Sequence, residues 1–262
     1  MSKIIELDHV TVSYRENIAL RNITLEIDEG SFVSVIGPNG AGKTTLLTVI
    51  NGLGAILSGS VKVFGQRIEN KNISQIRKDI GYIPQHLNID PRSPISVYQA
   101  VSIGRFGKIG LFKKWTSADD DLVRSAMAEV GISNLENKPI GHLSGGEHQK
   151  VSIARALAQQ PKIILFDEPT SNLDPKSQGE IMRLIERIYS EKKYTIVFVT
   201  HILSHIPACC DYAVLMQRGK IMYAGSSEKA LKENLLSKLY DCPIEIGLIH
   251  GKRHFHAGQS HL

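Results

Sequence analysis

The segment that most constrains this chain is Gly37-Pro38-Asn39-Gly40-Ala41-Gly42-Lys43-Thr44, which fits G-x-x-x-x-G-K-[ST] throughout. It follows a nearly all-apolar run, Phe32 to Ile36, and opens an apolar-periodic stretch that reaches Ile50 and stops at Asn51-Gly52. A run with so few polar residues reads as a strand buried on both faces, and such strands belong to sheets covered by helices. Glycines at 37, 40 and 42 let the backbone turn tightly between strand and helix with no Cβ in the way. The pattern therefore predicts strand, glycine loop and helix in immediate succession, the opening of an α/β fold. Inward-pointing N–H groups and the positive end of a helix dipole suit phosphate oxygens.

The surrounding sequence keeps that rhythm. Leu7-Val10-Val12 and Ile23-Leu25-Ile27 alternate with polar residues and predict half-buried strands, with Asp28-Glu29-Gly30 as a turn. Strands are also predicted at 60–64 and 80–83, punctuated by Gly65, Gly81 and Pro84. From Val97 to Ala158 the pattern is helical; Leu122, Val123, Ala126, Met127 and Val130 fall at helix spacing and Gly131 stops them. Strands at 162–167, 194–200 and 212–216 then alternate with a helix at 175–190 and a short helix after His201. Gly219 divides the last strand from 220–223 as a hairpin, and one helix is expected from 227 to about 239.

Ile163-Ile164-Leu165-Phe166-Asp167-Glu168 is the second chemical signal, an apolar strand ending in two carboxylates. Alone, an Asp-Glu pair before a proline caps a turn. Beside a phosphate loop it supplies a Mg²⁺ ligand in Asp167 and a base for the attacking water in Glu168. Lys43 is placed to neutralise the β- and γ-phosphates, and the Thr44 hydroxyl to ligate the metal. The combination points to nucleoside triphosphate hydrolysis.

Composition narrows the setting. With 42% apolar and 22% charged residues the chain reads as an ordinary soluble protein, and no apolar run approaches the roughly 18 residues a bilayer requires. Glu6, Asp8 and Arg15 interrupt the first fifteen residues, so no secretory signal is expected and the cytoplasm is the predicted compartment. The net charge of +5 is spread along the chain rather than gathered in arms, which argues against nucleic acid as a partner. Cys209, Cys210 and Cys242 form neither a disulfide framework nor a metal spacing.

Leu143-Ser144-Gly145-Gly146-Glu147 resembles the signature sequence of the ATP-binding cassette (ABC) ATPases. Gln85 after a strand, Ser171-Asn172-Leu173-Asp174, and His201 after a strand resemble that family's Q-loop, D-loop and switch histidine. Tyr14 stands where the family's adenine-stacking aromatic would stand. The resemblance covers about residues 4–225. It implies a P-loop NTPase core with a mainly parallel sheet, an antiparallel β subdomain and a helical insertion at about 86–160, all within a domain spanning 1–242. It further implies ATP and Mg²⁺ as cofactors and a head-to-tail homodimer with ATP sandwiched between protomers. The implied nucleotide contacts are Tyr14, Gly37, Pro38, Asn39, Gly40, Ala41, Gly42, Lys43, Thr44, Thr45, Ser144, Gly145, Gly146 and Asp174. Thr44, Gln85 and Asp167 would hold the metal, and Glu168, His201 and Gln85 would act in catalysis, with His201 on the γ-phosphate. A helix opening at Ser144 presents N–H groups, a hydroxyl and a dipole to an anion, and it also reads as an N-cap with Glu147 as capping-box partner. The two readings are compatible. Glu147 and Lys150 stand where the family more often has Gln and Arg.

With one ATPase set and no spanning segment, a transporter of this kind needs separate integral membrane permease subunits and, through them, an extracytoplasmic solute-binding protein. The stretch from Pro94 to Lys114 resembles that of manganese, zinc or iron importers and, less closely, siderophore and cobalamin importers. Within it, a glycine-rich loop bearing Phe106, Phe112 and Lys113-Lys114 reads either as a dock for a membrane partner or as solvated surface. Residues 243–262 carry His250, His254, His256 and His261 and read as a flexible tail, whose imidazoles either bind Zn²⁺ or Mn²⁺ weakly or are incidental. The leading expectation is the energy-coupling ATPase of a metal-ion importer, peripheral on the cytoplasmic face of the membrane. The alternative is a soluble ABC assembly factor, such as an iron–sulfur scaffold ATPase. A single cassette argues against ABC translation factors, the lack of a long coiled-coil insertion against chromosome and repair ATPases, and Glu168 against a regulator without turnover.

Overall fold

The computed structural model describes residues 2–15, 17–85, 94–110, 113–192, 194–249 and 252–258. The chain divides into two units, residues 1–73 with 193–262, and residues 74–192. The first unit opens with β1 (Lys3–Tyr14), β2 (Asn17–Asp28), β3 (Phe32–Ile36), α1 (Lys43–Ile50), β4 (Ile56–Val63) and β5 (Gln66–Arg67). In β2, Leu20, Ile23, Leu25 and Ile27 are buried while Thr24 and Glu26 face solvent, the two-residue period of a strand with one covered face. β1 pairs antiparallel with both β2 and β4, giving a sheet of order β2-β1-β4-β5. Every residue of β3 is buried, as its apolar run requires.

The second unit begins within α2 (Ile73–Arg77) and continues through β6 (Ile80–Ile83), α3 (Val97–Ile109), α4 (Ser117–Glu129), α5 (Gly145–Ala158), β7 (Ile163–Asp167) and α6 (Pro175–Lys192). β6 and β7 run parallel, with Ile80 opposite Ile163 and Ile83 opposite Phe166. Three helices make the predicted insertion, within 97–158; residues 86–93 lie outside the described residues. A Cβ on Gly104 would fall 2.0 Å from the Arg155 carbonyl oxygen, so glycine here lets α3 approach α5 closely. Arg105, nearly buried, pairs with Asp119 at 2.8 Å and donates to the Ala158 carbonyl at 3.2 Å, tying α3 to α4 and α5.

That packing corrects the reading of a loop after Gly104. Residues 104–109 are the last turns of α3, a helix launched by a capping box in which Ser96 and Gln99 satisfy each other. Phe106 is 57% exposed on that helix, its ring 5.5 Å from Trp115. Lys113 and Lys114 are exposed; Phe112 lies outside the described residues.

The chain then returns to the first unit with β8 (Thr195–Thr200), β9 (Tyr212–Gln217), β10 (Lys220–Ser226), α7 (Ser227–Ala230), α8 (Glu233–Tyr240), β11 (Ile244–Ile249) and β12 (Lys252–Ala257). β8 and β9 flank β3 in parallel and β10 follows antiparallel to β9. The single helix expected over 227–239 is two, broken at Leu231-Lys232. The break lets Ala230 and Leu231 enter the same apolar cluster as Leu236 and Leu239, which one straight helix would aim elsewhere.

Where the sequence suggests a flexible tail after 243, the structure forms the β11–β12 hairpin, with Ile246 opposite Phe255. Ile244, Ile246 and Phe255 pack on the cluster around Leu215, Leu236 and Leu239, and that apolar contact is what orders the segment. His254 is half-buried and His256 exposed; His250 and His261 lie outside the described residues. Among the described residues no group of three or more His, Cys, Asp or Glu is arranged to hold a metal ion.

Candidate functional site

The predicted residues fall into sets that the two units position separately. In the first unit, Ile36 is in register with Thr200 on β8 and with Leu215 on β9. Gly37 and His201 therefore leave the sheet from adjacent positions on its carboxyl edge, where ligands of parallel sheets bind. The glycine loop is fixed there by close backbone approach. A Cβ on Gly37 would sit 2.1 Å from the Met216 carbonyl oxygen, and Gly42 has φ +98° with the Ala19 carbonyl 2.7 Å from where a Cβ would be. The Gly219 N–H donates to the Ala41 carbonyl at 3.0 Å, so the β9–β10 turn buttresses the loop from behind.

Lys43, 5% exposed, folds back over this loop, its Nζ donating to the Gly37 carbonyl at 2.9 Å and the Pro38 carbonyl at 3.0 Å. Asn39, Gly40 and Thr44 face solvent, Pro38 and Thr45 are half-buried, and Ala41 is buried. The first turn of α1 contains no acidic residue, so its positive end carries no competing carboxylate. Tyr14 ends β1, paired with Asn17 at the start of β2, and is 48% exposed. Because β2 passes Gly42 at Ala19 and Leu20, Tyr14 belongs to the hairpin end beside the loop, with its ring available for stacking.

In the second unit, Asp167 ends β7 and Glu168 follows it, with 2% and 8% exposure. Glu168 holds φ +49°, a left-handed conformation uncommon for a non-glycine residue and the kind of backbone strain that gathers at functional positions. Gln85 Nε2 donates to Glu168 Oε2 at 3.1 Å, and Tyr82 Oη donates to Asp167 Oδ2 at 3.2 Å. Burial, together with the Asp167 carboxylate, pushes the Tyr82 phenol above its usual range, so it stays a proton donor. Tyr82 escapes the sequence reading. The available signal is a phenol in an otherwise apolar strand three residues before Gln85.

A second cluster in this unit joins the Ser144 turn to Asp174. Ser144 caps α5, its Oγ accepting from the Glu147 N–H at 3.3 Å while the Glu147 carboxylate accepts from the Ser144 N–H at 2.7 Å. Asp174 caps α6, accepting from the Lys176 and Ser177 amides at 3.0 Å and from Ser177 Oγ at 2.6 Å. A Cβ on Gly146 would lie 2.8 Å from that same Ser177 Oγ, and one on Gly145 3.1 Å from Leu173 Cδ2. The two motifs pack together. Lys150 pairs with Glu180 at 2.9 Å, further fixing α5 to α6.

These groups fit the nucleotide chemistry read from the sequence. The loop is a backbone cradle that a Cβ would fill at Gly37 and Gly42, with an ammonium already held above it. In the second unit Gln85 and Asp167 each carry an oxygen of the type Mg²⁺ prefers, as does the exposed Thr44 hydroxyl in the first.

The chain belongs to the ABC transporter family, whose model matches residues 20–171. Among curated relatives, it is 36% identical to the manganese transport system ATP-binding protein MntB of Bacillus subtilis, over 90% of this chain and 92% of that protein. It is 32% identical to the ferric enterobactin transport ATP-binding protein FepC of Escherichia coli, over 89% of this chain and 85% of that one. Among solved structures, a chain of an inward-facing ABC transporter described as metal-chelate type matches with TM-score 0.85 and 27% identity, covering 99% of this chain and 98% of its own. An ATP-binding cassette solved as a dimer in a post-hydrolysis state with ADP and phosphate matches with TM-score 0.74 and 30% identity, over 85% and 98%. No helix among the described residues is long and apolar enough to cross a membrane.

Proposed function

We propose that this chain is the ATP-hydrolysing, energy-coupling subunit of an importer for a metal ion or its chelate. The observation that carries the reading is the parallel register of Ile36 with Thr200, which starts the glycine loop and His201 from one sheet edge. The loop amides and Lys43 bind the phosphates, Tyr14 stacks on the base, and His201 meets the γ-phosphate. Thr44 and Asp167, with Gln85, hold Mg²⁺, whose chemistry is to draw charge from the phosphate oxygens. Glu168 accepts a proton from the attacking water as the new P–O bond forms and the bond to ADP breaks. Gln85 orients that carboxylate.

Ser144, Gly145, Gly146 and Asp174 serve a nucleotide held by a second copy of the chain, so closure of a head-to-tail dimer completes each site. Permease subunits in the membrane take up the motion, with Ile103 and Phe106 on the exposed side of α3 as their contact, and a solute-binding protein delivers cargo outside. The names of the relatives support manganese, iron chelates or a similar cargo. They do not favour a soluble assembly factor.

Glu168→Gln tests the catalytic assignment. It should keep ATP affinity and lower steady-state hydrolysis by about 10²- to 10⁴-fold, the usual contribution of a general base. Unchanged turnover would assign the base elsewhere.

A further inference from the structure

His201 follows a strand but is not held by packing on all sides. A cavity of about 300 Å³ borders it, lined also by Leu203, Tyr240, Ile244, His254 and Phe255. Thr200 fixes the first step out of the sheet, its Oγ1 accepting from the Ile202 N–H at 3.0 Å. A further hold on this segment comes from far along the chain: Tyr240 Oη donates to the His201 carbonyl at 3.2 Å.

Tyr240 is itself pinned. It is the last residue of α8, and Gln217 Nε2 donates to the Leu239 carbonyl at 3.0 Å and to Asp241 Oδ2 at 3.0 Å, closing that helix end. Asp241 turns the chain there with φ +53°. Gln217 ends β9, between Met216, whose carbonyl backs Gly37, and Gly219, whose N–H holds Ala41. A continuous set of contacts thus runs from the back of the glycine loop, through Gln217 and the end of α8, to the backbone of His201.

We propose that Tyr240 is a positioning residue for His201, and that Gln217 sets it from the same turn that buttresses the phosphate loop. The arrangement fixes the backbone from which the imidazole projects, relative to the loop it must serve, at the edge of the cavity that Tyr240 itself lines. This rests on the reading of His201 as the γ-phosphate ligand.

The test is a double-mutant cycle on the full-length chain, reading kcat, the KM for ATP and equilibrium ATP affinity. Tyr240→Phe removes one hydroxyl and keeps the ring. It should lower kcat about 3- to 10-fold, the worth of one hydrogen bond, and leave KM and ATP affinity within about twofold. In a His201→Ala background the same change should have no further effect, because Tyr240 acts only through that residue. Gln217→Ala should lower kcat in the same direction and carries the test should Tyr240→Phe depress the melting temperature. An unchanged kcat in both variants, or an equal loss with and without His201, overturns the proposal. A His201→Ala chain that turns over normally would instead sink the reading of His201 itself.

Discussion

Two helix N-termini in this chain carry the motifs for an anion, and they are built in opposite ways. α1 opens at Gly42 with φ +98°, has no side chain to cap it and no acid in its first turn. α5 opens at Ser144 with ordinary extended backbone and a complete capping box that includes the acidic Glu147. The first is shaped by close backbone approach and by Lys43 folded onto its carbonyls, so its form is set before any ligand arrives. The second already satisfies itself. Its Ser144 hydroxyl accepts at 3.3 Å, long for an N–H···O bond. Under the proposed function, the contrast assigns the first end to binding nucleotide unaided and the second to adding its groups only when a second copy closes over it.

The largest effects should separate the two ends through their glycines. Gly37→Ala drives a Cβ into the Met216 carbonyl, a backbone atom that cannot yield, and should cost about 3 kcal/mol or more together with ATP binding. Gly146→Ala meets no backbone atom, only Ser177 Oγ at 2.8 Å, which can rotate, and Ser177 Cβ at 3.1 Å, which needs a shift of a few tenths of an ångström, and alanine recovers up to about 1 kcal/mol of helix propensity. Its stability should change by less than about 1 kcal/mol and its ATP affinity not at all. Urea melts and nucleotide titrations read both; equal damage at the two sites would erase the distinction between a rigid end and an adaptable one.

A smaller effect sharpens the account of the Ser144 end. The same capping box occurs at Ser96 of α3, which carries no nucleotide motif. Ser96→Ala and Ser144→Ala should each lose about 1 kcal/mol of stability. Only Ser144→Ala should also reduce hydrolysis, leaving ATP binding to the monomer intact. If both variants hydrolyse ATP alike, Ser144 is a cap and nothing more.

The sequence was most legible where function and local structure make the same demand. β3, the glycine loop and α1 are read to the residue, because a doubly buried strand, positive-φ glycines and a short helix leave no other conformation. β6 and β7 are equally plain. What escaped depends on residues far apart in sequence. Tyr82 reaches Asp167 only because β6 and β7 pair, and Tyr240 reaches His201 only because α7 and α8 are two helices where periodicity suggests one. The β11–β12 hairpin was hidden by its histidines: alternate positions carry Phe255 and Ile246 inward, but the polar residues between them read as a tail. Arg105 was masked by the glycines around it, one of which exists to let helices touch rather than to make a loop.

The smallest expected effect concerns the residue where this chain departs from the family's usual glutamine. The Ser144 backbone N–H, and after it Lys138, hold the Glu147 carboxyl below its usual range. Because the folded pKa lies below the unfolded one, the stabilisation is fully present above the unfolded value of about 4.3 and is lost as pH falls through the folded pKa. Glu147→Gln removes that proton-linked contribution, so its unfolding free energy should fall less steeply than that of the parent chain below about pH 4.5. At neutral pH the glutamine amide oxygen can still accept from Ser144, and the half-buried side chain stays partly screened by water, so the stability loss should be only about 0.3 kcal/mol. Urea midpoints between about pH 3 and 7 measure both effects; the remaining low-pKa carboxylates are common to the two proteins and cancel in the difference. The same substitution takes a negative charge away from the α5 end that the proposed function turns towards a nucleotide, so hydrolysis at neutral pH should be maintained or raised. A clear fall in turnover with the cap intact would mean that the carboxylate takes part in the site, and that the two helix ends differ in chemistry as well as in stiffness.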